Sequence, residues 1–437
     1  MVDNPPLALL ASFVVLIVVG AAALSLPFAT DAEHPGLLDA LFLSTSAATV
    51  TGLASFDIAA LSLYGELVVL ALIQVGGFGI MTIGTVIGIV TARRLGIRQR
   101  VLARAEIGGI EFGEVRSLVT AILRITVLME VINALVLAVA IIAANGRSVV
   151  NGLYEGLFLS VSAFNNAGIT IQPDGLTAFR SNVVVIIATS AAIIFGGLGF
   201  PVIIELARRR RPARWSLHTK LVLLSSAVLF ALGPLVVAAF EWTNPDTLGP
   251  LDTGDKALAS WFQGVSPRTA GFNTVDIGAM NEPTLLVVIA LMFIGAGPAS
   301  TGGGIRITTF AVLGFVLWSV VRGDPDTHAF GRRIPHAVVR QAIAVVLLSI
   351  AAVVGTTLAL LAWTDFGLTA TLFEATSAFG TVGLTTGITD RLPAVAHLLL
   401  VALMLTGRVG PITVVAALAL REQPRLYQYP EERPIVG

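Results

Sequence analysis

STSAATVTGL, at residues 44–53, recurs in altered form at three more places in the chain: SVSAFNNAGI at 160–169, QGVSPRTAGF at 263–272 and ATSAFGTVGL at 375–384. The four stretches align on one glycine, and these glycines are Gly52, Gly168, Gly271 and Gly383. A large apolar residue follows each glycine, and an aromatic residue stands ten positions before it. The glycines lie 116, 103 and 112 residues apart, close to a quarter of the 437-residue chain, so the pattern indicates a fourfold internal repeat.

Each copy ends a short apolar stretch that is flanked by longer ones. The short stretches cover residues 37–48, 150–163, 256–266 and 368–378. About a dozen helical residues reach only about 18 Å, too little to cross a bilayer, so we expect re-entrant helices. A second glycine motif follows in each quarter, at 76–79, 196–199, 295–304 and 407–410. Each quarter is therefore predicted to run as outer helix, re-entrant helix, glycine loop and glycine-interrupted helix.

The composition favours a membrane protein. Only 12% of the residues are charged and 55% are hydrophobic, with a mean hydropathy of +0.88, whereas soluble domains carry about 25% charged residues. Eight segments have the apolarity of a spanning helix: 7–30, 67–92, 125–145, 183–204, 221–240, 284–321, 341–364 and 392–420. The predicted fold class is all-α and integral to the membrane, with eight transmembrane helices as four M1–pore loop–M2 repeats (M1 is the outer helix, M2 the glycine-interrupted one) in pseudo-fourfold symmetry around one pore.

The repeat boundaries and the topology follow from these segments. The predicted repeats are 1–92, 93–207, 208–321 and 322–420, and a cytoplasmic tail covers 421–437. Most of the 27 Lys and Arg residues follow the second, fourth and sixth segments or lie in the tail. Because basic connections stay in the cytoplasm, both termini are predicted to be cytoplasmic. No Lys or Arg precedes the first apolar run, so we expect a retained helix and not a cleaved signal peptide.

The glycine loops are candidate walls of a cation filter. Irregular backbone at membrane depth is tolerated only inside protein or along water, where carbonyl oxygens replace the hydration shell of a cation. Glycine suits such a wall because it reaches backbone angles closed to other residues. A lone glycine is more often a helix-joining turn, but turns need no fourfold register. The candidate filter residues are Thr49, Val50, Thr51, Gly52, Asn165, Asn166, Ala167, Gly168, Thr269, Ala270, Gly271, Thr381, Val382 and Gly383.

With these motifs the chain resembles the Trk/Ktr/HKT superfamily of potassium transporters over essentially its whole length, and most resembles the Ktr-type membrane subunit. The stretches 48–53 and 266–273 carry the resemblance, together with the glycine run and the arginine of the last helix. The resemblance implies a homodimer in which each protomer has its own pore, gated by a cytoplasmic RCK-type ring that binds ATP/ADP or NAD. It also implies potassium as the substrate, because sodium-preferring plant relatives replace the first filter glycine, here Gly52, with serine.

The resemblance also implies a gate. Residues 295–304 match the family's intramembrane loop beneath the filter, and Arg408 matches an arginine taken to face the pore as a barrier to cations. The predicted gate residues are Gly295, Gly297, Ser300, Thr301, Gly302, Gly303, Gly304 and Arg408. A second interpretation is that Arg408 binds loop carbonyls, and Arg306 is expected to snorkel towards the cytoplasm.

Other functions remain open on the sequence alone. The alternatives are a sodium-conducting HKT-like channel and a cation-coupled secondary transporter, for which Glu130 is the only acid well inside a long segment. Five scattered histidines, no cysteine and no HExxH or GxSxG motif argue against an enzyme. The chain is expected to hold no cofactor, to take potassium as substrate with sodium as a candidate activator, and to contact lipid but no nucleic acid. The expected location is the bacterial inner (plasma) membrane.

Overall fold

A computed structural model describes residues 5–31, 35–94, 112–173, 175–209, 211–411 and 413, with only the backbone described at 5–6, 80–94, 112–118 and 145. The predicted cytoplasmic tail, 421–437, lies outside these residues, as do the basic residues between 95 and 111. The described part of the chain is mostly helical and contains fourteen α-helices. In order they are α1 Pro5–Leu24, α2 Leu37–Thr49, α3 Leu63–Arg94, α4 Phe112–Asn145, α5 Val149–Asn165, α6 Val183–Leu198, α7 Phe200–Arg208, α8 Leu217–Glu241, α9 Thr253–Val265, α10 Glu282–Phe293, α11 Ile307–Arg322, α12 His336–Trp363, α13 Leu368–Gly380 and α14 Ala394–Val409.

Four short helices, α2, α5, α9 and α13, correspond to the predicted re-entrant stretches. Their lengths are 13, 17, 13 and 13 residues. In three of them the chain leaves the helix through a left-handed residue, Val50, Asn166 or Thr381, whose N–H binds the last helical carbonyls. This left-handed cap stops each helix before it can cross a bilayer.

Four described helices are long and apolar enough to cross a membrane, namely Leu7–Leu24, Val119–Ala144, Leu217–Glu241 and His336–Trp363. The pair α6 and α7 would make a fifth span if it is counted as one, but it bends by 96°. The break falls at the glycine motif 196–199, where the sequence predicts an interruption of the helix. The cause is Gly199, which has φ +91°, and a Cβ there would lie 2.4 Å from the Pro298 oxygen, so the chain turns where another segment packs against it.

The predicted segment 284–321 divides into α10 and α11. The residues between them contain the glycine run, which does not form a helix. At the end of the chain, α14 stops at Val409 because Gly410 adopts φ +97°. The glycine motifs thus interrupt the second helix in the second, third and fourth quarters. The interruption predicted in the first quarter is wrong, because α3 continues as one helix through residues 76–79.

A small antiparallel hairpin departs from the all-α prediction. His328–Ala329 pairs with Arg332–Arg333 across a turn in which Phe330 and Gly331 both have positive φ. Two such residues in succession match the twist of a tight hairpin. A 2.9 Å ion pair between Arg333 and Asp326 holds its base.

The first and last quarters of the chain pack against each other. Leu9 and Phe13 of α1 form a buried cluster with Val409 of α14. The rings of Phe42 and His397 lie 4.9 Å apart. The helical bundle therefore closes on itself, with the beginning of the described chain beside its end.

Candidate functional site

The four aligned glycines meet around one point. A Cβ on each would lie 2.2–2.7 Å from the backbone oxygen of the residue that precedes another glycine of the set. The pairs are Gly52 with Ala167, Gly168 with Ala270, Gly271 with Val382 and Gly383 with Thr51. Taken in this order the contacts form a closed cycle through all four quarters. We call Gly52, Gly168, Gly271 and Gly383 the glycine ring; no side chain fits at any of its positions.

The backbone at the ring is left-handed at two positions in each quarter. The ring glycines have φ of +67° to +101°. Two residues earlier, Val50, Asn166, Thr269 and Thr381 have φ of +48° to +68°. Positive φ is uncommon for residues other than glycine, and for a β-branched residue such as Val50 it is an outlier. Such strain is typical of functional backbone, since the surrounding structure must hold it in place.

Serines turn the amide N–H groups of the loops back towards the re-entrant helices. In all four quarters the residue before the ring glycine donates its N–H to a serine carbonyl at 2.7–2.9 Å; the acceptors are Ser46, Ser162, Ser266 and Ser377. The Ser46 and Ser377 hydroxyls also accept the N–H of Gly52 and Gly383 at 2.9 and 3.1 Å. Because these N–H groups are engaged, the loop carbonyl oxygens are the polar groups available to a cation. The sequence prediction missed these serines, although each stands five or six positions before its glycine.

The four walls differ at the position three residues before the glycine. Thr49 bonds within its own wall, 2.7 Å from Thr51. Asn165 donates to Glu130 and to Gln74, both at 3.0 Å, and Glu130 is only 5% exposed. A glycine, Gly380, stands here in the fourth quarter. The walls are therefore held by different neighbours, although they share one backbone shape.

Arg268 takes this position in the third quarter and is also buried, at 4% exposure. It donates to the Gly295 oxygen at 3.1 Å and lies 5.0 Å from the Phe230 ring centre. The structure places it inside the protein, where it joins the third wall to the start of residues 295–304.

Residues 295–304, the intramembrane loop, are closed at their base and tied to two other parts of the bundle by backbone hydrogen bonds. Gly295 N–H binds the Ile305 oxygen at 2.9 Å and closes the base of the loop. Gly297 N–H binds the Gly197 oxygen at 2.9 Å, and Gly304 N–H binds the Gly407 oxygen at 3.2 Å. The loop thus spans from the bend between α6 and α7 to α14.

The intramembrane loop lies directly against two walls of the ring. A Cβ on Gly302 would be 2.2 Å from the Thr269 hydroxyl oxygen, and one on Gly303 would be 2.3 Å from that of Thr381. Ser300 and Thr301 are fully buried. Thr269 and Thr381 precede the ring glycines by two residues, so the loop covers the side of the ring on which the re-entrant helices end.

Two arginines hold the intramembrane loop. Arg408 is fully buried and donates to the Thr301 oxygen and, at 3.0 Å, to the Gly76 oxygen. Arg306 donates to the Gly302 oxygen at 2.5 Å. The expectation that Arg306 snorkels towards the cytoplasm is wrong, because its guanidinium folds back on the loop. For Arg408, the structure contains the contact of the second interpretation, in which its guanidinium binds a carbonyl oxygen of the loop.

The glycine motifs of the other three quarters serve close packing. A Cβ on Gly76, Gly196 or Gly407 would lie 1.8–1.9 Å from the backbone oxygen of a residue near the end of a re-entrant helix. Those oxygens belong to Ala48, Phe164 and Phe379. The helices α3, α6 and α14 therefore approach the short helices so closely that backbone contacts backbone, which only glycine permits.

Comparison with known proteins agrees with this geometry. A family model described as "TrkH: Cation transport protein" matches residues 4–429. The chain belongs to this family of cation transport proteins, which confirms the resemblance found from the motifs.

Individual relatives and one solved structure resemble the chain over nearly its whole length. The chain is 38% identical to "Ktr system potassium uptake protein B" of Bacillus subtilis, covering 99% of this chain and 97% of that protein. It is 36% identical to the protein of the same name from Vibrio alginolyticus (99% and 95%) and 33% identical to "Potassium/sodium uptake protein NtpJ" of Enterococcus hirae (99% and 97%). The crystal structure of the potassium transporter TrkH from Vibrio parahaemolyticus superposes with a TM-score of 0.72, over 93% of this chain and 84% of that one at 19% identity, which shows a shared fold.

Proposed function

We propose that this chain is the ion-conducting membrane subunit of a Ktr/Trk-type potassium uptake system in a bacterial plasma membrane. The observation that carries the proposal is the glycine ring, in which four loops meet and the carbonyl oxygen before each ring glycine lies beside the glycine of another loop. Such oxygens replace the water around a potassium ion. The names of the relatives, which are potassium uptake proteins, support the choice of ion.

In this proposal the fourteen helices make four M1–pore loop–M2 repeats with eight membrane crossings. The repeats keep the boundaries 1–92, 93–207, 208–321 and 322–420, and both termini lie in the cytoplasm. The pairs α6 with α7 and α10 with α11 then act as single, broken crossings. The closed cycle of glycine contacts supports this arrangement, because it passes once through each repeat.

The intramembrane loop and Arg408 form the gate in this proposal. The loop covers the inner side of the ring and must move before an ion can pass. It is held by a few hydrogen bonds and by two arginines, so a modest force on α11 or α14 can shift it. A cytoplasmic RCK-type ring that binds ATP/ADP or NAD would supply that force to a homodimer of this chain, and the word "system" in the relatives' names supports a further component.

Gly52→Ser tests the filter, with potassium and sodium uptake measured in a bacterial strain that lacks its own potassium transporters. Gly52 has φ +101°, and a Cβ there lies 2.4 Å from the Ala167 oxygen, so serine displaces one wall. We expect the preference for potassium to fall about tenfold, the equivalent of one weakened ligand. Gly355→Ser is the matched control, because a Cβ on Gly355 meets nothing within 4 Å. Unchanged discrimination in Gly52→Ser would exclude Gly52 from the filter.

A second candidate function is cation-coupled transport with sodium as a second ion. The name of the Enterococcus hirae relative includes sodium, and Glu130 is a buried acid whose partners in the structure include the amides of Gln74 and Asn165. In this case Glu130→Gln would abolish coupled uptake. A conducting pore would instead retain flux down the potassium gradient in the same variant, so one flux measurement separates the two.

A further inference from the structure

We propose that an anionic glycerophospholipid binds a groove between α8 and α11, with its acyl chain beside the intramembrane loop and its phosphate at a pair of basic side chains. The groove has a volume of about 360 Å³. This volume lies within the range of roughly 300–1,000 Å³ of pockets that bury small ligands. Six of its lining residues are Leu224, Val228, Phe310, Gly314, Phe315 and Trp318.

The walls of the groove are apolar and open to the outside of the bundle. Leu224 and Val228 are 48% and 55% exposed, and Trp318 is 54% exposed. Gly314 leaves a gap in the α11 wall, because a Cβ there would meet nothing within 4 Å. In a membrane-spanning bundle such a cleft faces the acyl chains of the bilayer, so a hydrocarbon chain is the occupant that its surface fits.

Each wall of the groove carries a basic side chain, and both basic side chains lie at the same end of the bundle. Lys220 precedes Leu224 by four residues on α8, and Arg322 follows Trp318 by four residues on α11, so each cation continues a groove face. Arg322 lies 4.6 Å from the Trp318 ring centre. Lys220 lies 5.9 Å from the Phe330 ring centre, and that ring lies 6.0 Å from Phe315 of the groove. Two cations above an apolar cleft complement the phosphate and chain of an anionic lipid.

The inner end of the groove reaches the intramembrane loop. Ile294 and Ile307 line the groove and flank the loop on its two sides. Ile307 N–H binds the Ala296 oxygen at 3.1 Å, and Ile294 bridges Ile305 across the base of the loop. A chain in the groove therefore packs against the residues from which the loop emerges. The bound lipid in this way biases the position of the loop.

Lipid binding is tested by fluorescence, because Trp318 lies in the groove. The protein is reconstituted in phosphatidylcholine vesicles that contain brominated phosphatidylglycerol or, in parallel, brominated phosphatidylcholine. Bromine quenches nearby tryptophan, and the difference between the wild type and Trp318→Phe isolates the signal of Trp318 from that of the remaining tryptophans, of which the chain has five in total. We expect Trp318 to be quenched at a lower fraction of phosphatidylglycerol than of phosphatidylcholine.

Charge variants test the headgroup contact. Each cation is expected to contribute about fivefold to the preference for phosphatidylglycerol, so Lys220→Gln combined with Arg322→Gln should remove nearly all of it. Arg340→Gln is the matched control, since Arg340 is an exposed arginine near the start of α12 and outside the groove. Equal quenching by both lipids in the wild type would overturn the proposal. If neither brominated lipid quenches Trp318, the proposed lipid binding is also overturned. That result would indicate a second protein copy in the groove.

The effect on the loop is tested by filling the groove. Gly314→Leu places a side chain in the open space, and Gly355→Leu on α12 is its matched control. We expect Gly314→Leu to reduce quenching of Trp318 and to abolish the difference in rubidium flux between vesicles with and without phosphatidylglycerol. This flux arm rests on the proposed function, whereas the quenching arm does not. If no vesicle shows flux, the proposed ion conduction is refuted, but the proposed lipid binding is not. If the flux difference between the two kinds of vesicle persists in Gly314→Leu, the proposed action of the lipid on the loop is refuted.

Discussion

The intramembrane loop and its counterparts in the other three quarters use glycine for opposite purposes. Gly76, Gly196 and Gly407 allow their helices to pack directly against the backbone of a short helix. Between α10 and α11 the glycines instead prevent a helix from forming, and the chain crosses beneath the ring. The same residue therefore builds a closely packed frame in three quarters and a segment without helix in one. The third quarter differs in the length of its break, because five glycines lie within residues 295–304 and each costs a helix about 1 kcal/mol relative to alanine.

Replacement of a frame glycine should have the largest effect. In Gly76→Leu the new Cβ would lie 1.9 Å from the Ala48 oxygen, a backbone atom that cannot move aside. We expect a loss of at least about 4 kcal/mol of stability, enough to prevent assembly of the folded protein. Thermal unfolding in detergent and the yield of folded protein measure it, with Gly355→Leu as the control. Normal yield and stability of Gly76→Leu would show that α3 can move away from the re-entrant helix and that the frame is not rigid.

Release of the loop should have the next largest effect. Arg408→Gln removes a buried charge and weakens the hydrogen bonds to Thr301 and Gly76. Charge-assisted hydrogen bonds contribute about 1.5–3 kcal/mol each, so we expect rubidium flux without a regulator to rise at least about tenfold. Arg408→Lys keeps the charge but loses the forked geometry, and its flux should fall between those of the wild type and Arg408→Gln. Flux at or below the wild-type level would mean that Arg408 does not hold the loop closed.

The smallest effect is expected at the second arginine. Arg306 is partly exposed and binds the loop chiefly through the Gly302 oxygen. Arg306→Gln should therefore raise the same flux by only about threefold, since it loses less than one fully buried charged hydrogen bond. A rise equal to that of Arg408→Gln would show that α11 restrains the loop as strongly as α14 does.

The repeat and the left-handed loops could be predicted because they depend on residues close together in sequence. One glycine in register, with a short apolar stretch before it, was enough to locate the four short helices and the four glycines that meet. The split between α10 and α11 was predicted on the same grounds, from a run of glycines too dense for a helix.

The remaining features depend on distant parts of the chain. The burial of Arg268 could not be predicted, because nothing near it in sequence shows that it contacts Gly295 and Phe230. The bend at Gly199 follows from contact with Pro298, about a hundred residues later. The hairpin at 328–333 could not be predicted, because each of its strands has only two residues, too few for an alternating pattern.

The contact between the two ends of the bundle has a consequence for biosynthesis. The Arg408 guanidinium and the Gly76 oxygen are separated by 332 positions in the sequence, and Val409 completes a cluster begun by Leu9 and Phe13. Before the last quarter leaves the ribosome, a nascent chain has only three of the four loops of the glycine ring. The first and third quarters are then separated by a gap, which we call the seam. Unpaired backbone at that seam would meet hydrocarbon, which is costly. Productive assembly must therefore wait until translation is almost finished, and a truncation near residue 400 should be recognised by quality control as an unfolded membrane protein.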